Sequence, residues 1–291
     1  MTAILHRITG KLQVPHTDAR LLQLTNNAVF ALPQPGIVIR ISRTQRLRDR
    51  ADKVAALGIW FTATNAATIR LTPGIDQPVL VDDFAATIWD YIPPTPPEPT
   101  IEDLGHVLQH FHRIAPPPFD LPAWDPVGDA RRRITDAEGL SEHDHDYLLT
   151  WCDQLAPQVD ALRDTAPPTL IHGDAHTGNL LRTPDGGVVL CDFDATSLGP
   201  WQVDLTAVPV GEARFGRHGA HRRLATAYGR DVTTDPAWPV LRQARELKMI
   251  AAAAPLLRST PGITDEFALR LRTVQDRDSH ARWTPFADLQ R

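Results

Sequence analysis

The dominant period of the apolar positions shifts along the chain. Upstream the runs are short and strand-like: Arg20–Leu24 and Ala28–Leu32 are split by the polar turn Thr25-Asn26-Asn27, and Ile37–Ile41 follows the turn Pro33-Gln34-Pro35-Gly36. Together they predict an antiparallel meander. A helix is predicted over Thr44–Phe61, then strands at Pro78–Val81 and Ala86–Ile92. The last strand runs into Pro93-Pro94-Thr95-Pro96-Pro97-Glu98-Pro99, where proline stops regular structure and favours an extended crossing. A boundary is therefore expected at residue 92, between a β-rich part, 1–92, and a longer part, 93–291.

Past the prolines the period becomes helical. Ile101, Leu104, Val107, Leu108 and Phe111 share one face of a helix with Thr100 as N-cap. Ser141-Glu142-His143-Asp144 reads as a capping box that opens a second helix through Leu148, Leu149, Trp151, Cys152 and Leu155. The cap accounts locally for His143 and His145 without invoking a metal. Leu224–Tyr228, Val240–Leu257 and Asp265–Val274 repeat the helical spacing, with Pro261-Gly262 as a break. Strand-like runs return only between Leu170 and Leu205. There Asn179–Arg182 and Val188–Cys191 flank Thr183-Pro184-Asp185-Gly186-Gly187, the composition of a hairpin loop.

Length and charge narrow the class without choosing a function. A chain of 291 residues can bury roughly 75% of its unfolded surface. The net charge of −5 provides no global basic field toward nucleic acid or anionic membrane. The run Arg40, Arg43, Arg46, Arg48, Arg50, Lys53 is interspersed with Asp49 and Asp52 and has no aromatic residues to stack bases, so it reads as a solvated helix face. Arg131-Arg132-Arg133 reads the same way. Cys152 and Cys191 form no C-x-x-C unit, which argues against zinc and disulfide frameworks and fits a cytoplasmic protein. Met1–Pro15 carries Arg7 and Lys11 without an apolar leader core, and Met249–Leu257 is short and interrupted by Pro255, so neither a signal peptide nor a membrane span is expected.

The chemistry concentrates in the segment that breaks the helical period. Phosphoryl transfer from a nucleotide to a hydroxyl needs a carboxylate beside that hydroxyl and oxygen ligands for Mg²⁺. His172-Gly173-Asp174-Ala175-His176-Thr177-Gly178-Asn179 keeps the aspartate-to-asparagine spacing of the kinase loop H-R-D-x-x-x-x-N, and Asp192-Phe193-Asp194 stands where that pattern has D-F-G. The predicted hairpin brings Asn179 and Asp192 to the same end, so a shared divalent ion follows naturally.

With those residues in view, HGDAHTGNLL followed by CDFDATSLGPWQVDL resembles the aminoglycoside phosphotransferase family, within the small-molecule kinases of protein-kinase-like fold. The resemblance runs from about Leu24 to the end, including the closing Ala281–Phe286. It implies an α+β, bilobal fold with a small antiparallel-sheet N-lobe that binds nucleotide and a larger, mainly helical C-lobe holding the catalytic loop, the metal site and the acceptor region. It implies Asp174 as the catalytic residue, Asn179 and Asp192 as Mg²⁺ ligands, and His172 and Asp204 as supports of the catalytic loop. Arg40 stands where the family has Lys or Arg toward ATP phosphates. Asn26 and Asn27 lie at the phosphate-covering turn, and backbone groups from Asp90 to Ile92 would meet the adenine edge. ATP and Mg²⁺ are the implied cofactors, and a small molecule bearing a hydroxyl is the implied partner, with antibiotic resistance one of the roles open to it.

Two departures stand out. The Asn26-Asn27 turn lacks G-x-G-x-x-G, so phosphate coverage falls to a less glycine-rich loop. The helix Thr44–Phe61 contains no Glu to orient Arg40, which leaves Asp49, Asp52 or no acid as its partner. The missing Glu is also the one argument for a non-catalytic nucleotide-binding module. A metal-dependent hydrolase built on His172, Asp174 and His176, joined by His112 or Asp192, is the other rival, but it leaves Asn179 and the hairpin without roles. The acceptor is not specified. Glu212, Asp231, Glu246, Asp265 and Glu266 would suit a cationic aminoglycoside, yet Arg214, Arg217, Arg222 and Arg223 lie among them. Aminosugars, simple sugars, peptide antibiotics and amino-alcohols all stay open.

Overall fold

A computed structural model describes residues 1–24, 27–42, 45–165, 167–258 and 261–289. In chain order the elements are α1 (Thr2–Leu12), β1 (Arg20–Leu24), β2 (Asn27–Leu32), β3 (Ile37–Ser42), α2 (Gln45–Ala63), β4 (Val79–Val81), β5 (Phe84–Asp90) and α3 (Ile101–Phe111). They continue with α4 (Pro126–Thr135), α5 (Glu142–Asp164), β6 (Thr169–Ile171), β7 (Leu180–Arg182), β8 (Val188–Leu190), β9 (Ser197–Gly199), α6 (Gln202–Phe215), α7 (Ala220–Tyr228), α8 (Trp238–Ala251) and α9 (Pro261–Gln275). They form two compact units, Met1–Leu121 with Thr177–Thr196, and Pro122–His176 with Ser197–Arg291.

The first unit is built on an antiparallel sheet of order β1-β2-β3-β5-β4. Strand parity decides what each face carries. Ala28, Phe30 and Leu32 of β2, Ile37, Ile39 and Ile41 of β3, and Ala86 and Ile88 of β5 share one core, which Leu5 and Ile8 of α1 join. Arg40, one residue out of phase with those isoleucines, falls on the other face, in register with Val29 and Thr87. Phe193 occupies the core on that side, its ring 4.8 Å from Phe61 of α2 and 6.1 Å from Trp89 of β5. Helix α1 was not among the predicted elements. Its apolar residues recur at helical spacing, but Met1 gives it no side-chain cap, so its start carries no sequence mark.

Thr100 caps α3 as expected, and the cap is a full capping box: its hydroxyl accepts from Asp103 N–H, and the Asp103 side chain accepts from Thr100 N–H. Asp103 also receives Arg182 of β7 at 2.7 Å, so α3 and the β7–β8 hairpin belong to the sheet-bearing unit. That unit extends past the boundary expected at residue 92.

The second unit is mainly helical. Helices α4, α5, α8 and α9 bury Val127, Ile134, Leu148, Cys152, Leu155, Leu247, Ile250 and Phe267 in one core. Ser141 caps α5 by accepting the Asp144 N–H, but the Asp144 carboxylate takes the Ser141 hydroxyl, so of the predicted box only the cap half forms among the described residues. Two expectations shift here. Helix α8 ends at Ala251, and the stretch to Leu257 becomes a short 3₁₀ turn around Pro255. Pro261 begins α9 instead of breaking a helix, in keeping with a residue that has no N–H to lose in a first turn. A small sheet and a larger helical part together make the α+β class expected from the sequence. No helix among the described residues is long and apolar enough to cross a membrane.

Candidate active site

Strand β6 leads into the acidic loop. Its last residue, Ile171, and the following His172 are fully buried, and Gly173 turns the chain with φ +78°. The turn is held from α6. Asp204, 1% exposed, accepts the His172 N–H and the Gly173 N–H, each at 2.7 Å. Two charge-assisted bonds into one buried carboxylate fix the loop backbone. Asp174 N–H in turn donates to His172 Nδ1 at 3.3 Å, which makes that ring nitrogen an acceptor.

Asp174 meets three basic side chains of the same unit. Lys248 Nζ lies 3.0 Å and Arg245 Nη1 3.6 Å from Asp174 Oδ1, and His176 Nε2 lies 3.9 Å from Oδ2. Burial alone would push the Asp174 carboxyl up. The charges of Lys248 and Arg245 outweigh it and hold the group well below the ordinary carboxylate range. Neither Lys248 nor Arg245 was singled out from the sequence, because both lie more than seventy residues downstream on a helix read only for its apolar spacing.

The other expected residues lie in the sheet-bearing unit. The hairpin forms with Leu180 opposite Leu190, and Cys191 N–H donates to Asn179 O at 3.0 Å. Asn179 and Asp192 therefore flank the same end of the ladder. Asp192 has φ +65°, a left-handed conformation that aspartate tolerates better than most residues. It turns the chain from β8 into the 3₁₀ turn Phe193–Ala195. An amide oxygen and a carboxylate at one strand end are a hard-oxygen donor set, which fits a cation such as Mg²⁺. The thiol of Cys191, the residue before Asp192, is pushed up to about 12 by burial and by Asp192, so it stays protonated and offers no thiolate ligand.

Arg40 does not act unpaired. Its guanidinium clamps Asp194 at 2.8 and 2.6 Å and reaches Asp192 Oδ1 at 2.8 Å. Asp52 is exposed, and the side chain of Asp49 lies outside the described residues. The partner is thus the second acid of the D-F-D triplet. Burial opposes the Asp194 charge, but the hydrogen bond and charge of Arg40 hold this carboxyl below its ordinary range. Asn27 Nδ2 adds a bond to Asp194 at 3.1 Å, and Lys53 of α2 donates to Asp194 O and Thr196 O at 2.7 and 2.8 Å. The helix that lacks a glutamate reaches the triplet through a lysine instead. Asp194→Ala is expected to lower stability by about 3 kcal/mol, since it leaves the Arg40 charge half-buried with one partner fewer. Urea unfolding followed by circular dichroism measures this.

The remaining candidates are placed as follows. Asn26 lies outside the described residues. Asp90 ends β5, and its N–H is given to Arg70 O, while Tyr91 N–H goes to Gly36 O. Ile92 follows, half-buried, as the member of that trio whose N–H makes no hydrogen bond among the described residues. Among those residues, too, no group of three or more His, Cys, Asp or Glu is placed to hold a metal ion. A hydrolase centre on His172, Asp174 and His176 has no such cage.

No curated protein sequence matches the chain. Among solved structures, it is similar to an amicoumacin kinase in complex with AMP-PNP, Ca²⁺ and its ligand, with 14% identity, 98% of this chain and 96% of that one covered, and a TM-score of 0.73. It is similar to a microcompartment-associated aminopropanol kinase at 19% identity, covering 98% and 100%, with a TM-score of 0.70. It also resembles the aminoglycoside phosphotransferase APH(3'')-Id from Streptomyces rimosus at 16% identity, covering 85% and 98%, with a TM-score of 0.62. At these identities the likeness speaks for the fold alone. The family model described as the phosphotransferase enzyme family, APH, matches residues 23–247. The chain belongs to that phosphotransferase enzyme family and is a small-molecule kinase of protein-kinase-like fold.

Proposed function

We propose that the protein transfers the γ-phosphoryl group of ATP to a hydroxyl of a small molecule, with Asp174 as the catalytic carboxylate. The observation that carries this reading is that each unit holds one preorganised set. A loop carboxylate is fixed by Asp204, and a hard-oxygen pair, Asn179 and Asp192, is fixed by a hairpin and by Arg40.

In this reading Asp174 orients the acceptor hydroxyl and takes its proton as the acceptor oxygen bonds to phosphorus. The bond from phosphorus to the bridging oxygen breaks, and its electron pair leaves with ADP. Because the transition state is loose, positioning outweighs proton abstraction. Asn179 and Asp192 would hold Mg²⁺, which when bound neutralises phosphate charge. Arg40 serves the phosphates and the Asp192 carboxylate together, and its bond to Asp192 aims that ligand. The segment around Asn26 and Asn27 would cover the phosphates, and the backbone at Asp90–Ile92 would meet the base, with the Ile92 N–H as its donor. His172 and Asp204 support the loop. The nucleotide-binding lobe would comprise 1–92 with the stretches that the sheet-bearing unit adds to it, and the catalytic lobe the remainder of 93–291.

The test is ADP release in the presence of a panel of small hydroxyl compounds, coupled to a mass gain of one phosphoryl group on the acceptor. Turnover is expected to need both nucleotide and divalent metal, to vanish with excess EDTA and to return with Mg²⁺. ATP binding without ADP release on any acceptor would favour the non-catalytic module. Turnover of a substrate without nucleotide would favour the hydrolase.

A further inference from the structure

Helix α8 carries three cations on successive turns, Arg242, Arg245 and Lys248, and treats them differently. Arg242 is neutralised within the helix by Glu246, at 3.1 Å, and the same Oε1 also takes Arg214 at 2.9 Å. Lys248 donates to Gly173 O and to Asp174. Arg245 has the Asp174 carboxylate 3.6 Å away, too far for a hydrogen bond, and makes none among the described residues. Its Nε is buried and has no partner, while the side chain as a whole is 23% exposed. A guanidinium fork is thus held beside the catalytic carboxylate with its donors unspent.

The charge balance points the same way. Two cations, Arg245 and Lys248, face one carboxylate. Asp129 of α4 also acts on Lys248, but it is paired with Arg132, and Asp204 spends its charge on two backbone N–H groups. Lys248 is itself pushed below the ordinary lysine range, by desolvation first and by the like charge of Arg245 second. A polycationic acceptor would have to bring its ammonium groups up to this pair. A carboxylate or a phosphate would complete it, because either anion matches the fork of an arginine in a bidentate geometry.

From this geometry we infer that Arg245, with Lys248, forms an anion subsite beside Asp174, and that the acceptor is a small alcohol carrying a carboxylate or phosphate group. The inference rests on the kinase reading given above. All of its residues lie in the helical unit, together with the carboxylate that serves the acceptor, whereas Arg40 and the metal-binding pair lie in the other unit. The product would carry the new phosphoester and the original anion on one small skeleton.

The experiment compares kcat/KM for short-chain alcohols matched in skeleton but ending in a carboxylate, a phosphate, a neutral amide or an ammonium. The wild-type enzyme is expected to prefer one of the two anionic members, and which one it prefers identifies the anion. Arg245→Ala is expected to lower kcat/KM for that member by about 10–100-fold, the worth of a charged hydrogen-bonded contact, and so to reduce the preference for anion over amide by the same factor. Arg245→Lys, which keeps the charge but loses the fork, should recover part of it. If the wild-type enzyme prefers the ammonium or amide member, the inference is overturned and the kinase reading stands. It is also overturned if Arg245→Ala lowers all members equally, as a role on the transferred phosphoryl group would require. Should no member of any charge release ADP, the kinase reading fails and takes the inference with it. If Arg245→Ala does not fold, the wild-type preference and Arg245→Lys still decide.

Discussion

Asp174→Asn should cut kcat about 10²–10⁴-fold, the range in which a positioned general base contributes, with the fold intact by circular dichroism and nucleotide still bound. The asparagine keeps the size of the side chain and loses both the charge and the ability to take a proton. Unchanged turnover would remove Asp174 from the mechanism. The pH profile provides a second check. The folded value of this carboxyl is depressed by Lys248 and Arg245. Its contribution to stability is therefore fully present above the unfolded value of about 3.9, and is lost only as the pH falls through the lower folded value. Across the neutral and mildly acidic range Asp174 is ionised throughout. An acid limb in kcat above pH 5 would have to come from another group, and His176, 3.9 Å from Asp174 Oδ2, is the first to examine by His176→Gln.

Asp204→Ala is expected to be the most destabilising change in the molecule. It strips the acceptor from two backbone N–H groups at once, one of them on a fully buried residue. At about 1–3 kcal/mol for each unsatisfied group, the loss comes to about 2–6 kcal/mol, measurable as a fall in urea midpoint. Catalysis should suffer in the fraction that still folds, since Asp174 follows the two residues that Asp204 holds. Stability close to that of the wild type would show that the loop is held by something else.

These two carboxylates show how unevenly the sequence discloses a site. Asp174, Asn179 and Asp192 lie within nineteen positions of one another, at spacings set by one short loop and one hairpin, so local rules suffice to group them. Asp204 could be assigned a holding role only through a resemblance, because its bond to His172 crosses thirty-two residues. The strands of the sheet were legible for the same local reason: Ile37–Ile41 follows a turn and alternates between two environments, while Arg20–Leu24, exposed along its length, shows only its apolar composition. Arg245 and Lys248 were not legible. Their helix advertises only its apolar stripe, and which cations face an acid on another element is settled by packing. Arg40 is the intermediate case. Its position was evident, and the acid standing where D-F-G has glycine was visible too, but that this acid replaces the absent glutamate required the fold. Pro261 shows the opposite hazard, a residue whose usual meaning as a breaker is reversed when it falls at the first turn of a helix.

The left-handed backbone at Asp192 limits which substitutions can be interpreted there. A residue with φ +65° exacts roughly 1–2 kcal/mol from most side chains, and asparagine is the other non-glycine type that visits this region routinely. Asp192→Ala or Asp192→Glu would therefore disturb the main chain as well as the ligand set, and a lost activity would have two causes. Asp192→Asn keeps the backbone preference and one oxygen donor while removing the charge. Any activity lost in that variant reports on the carboxylate, its charge and its second oxygen, with the backbone preference unchanged.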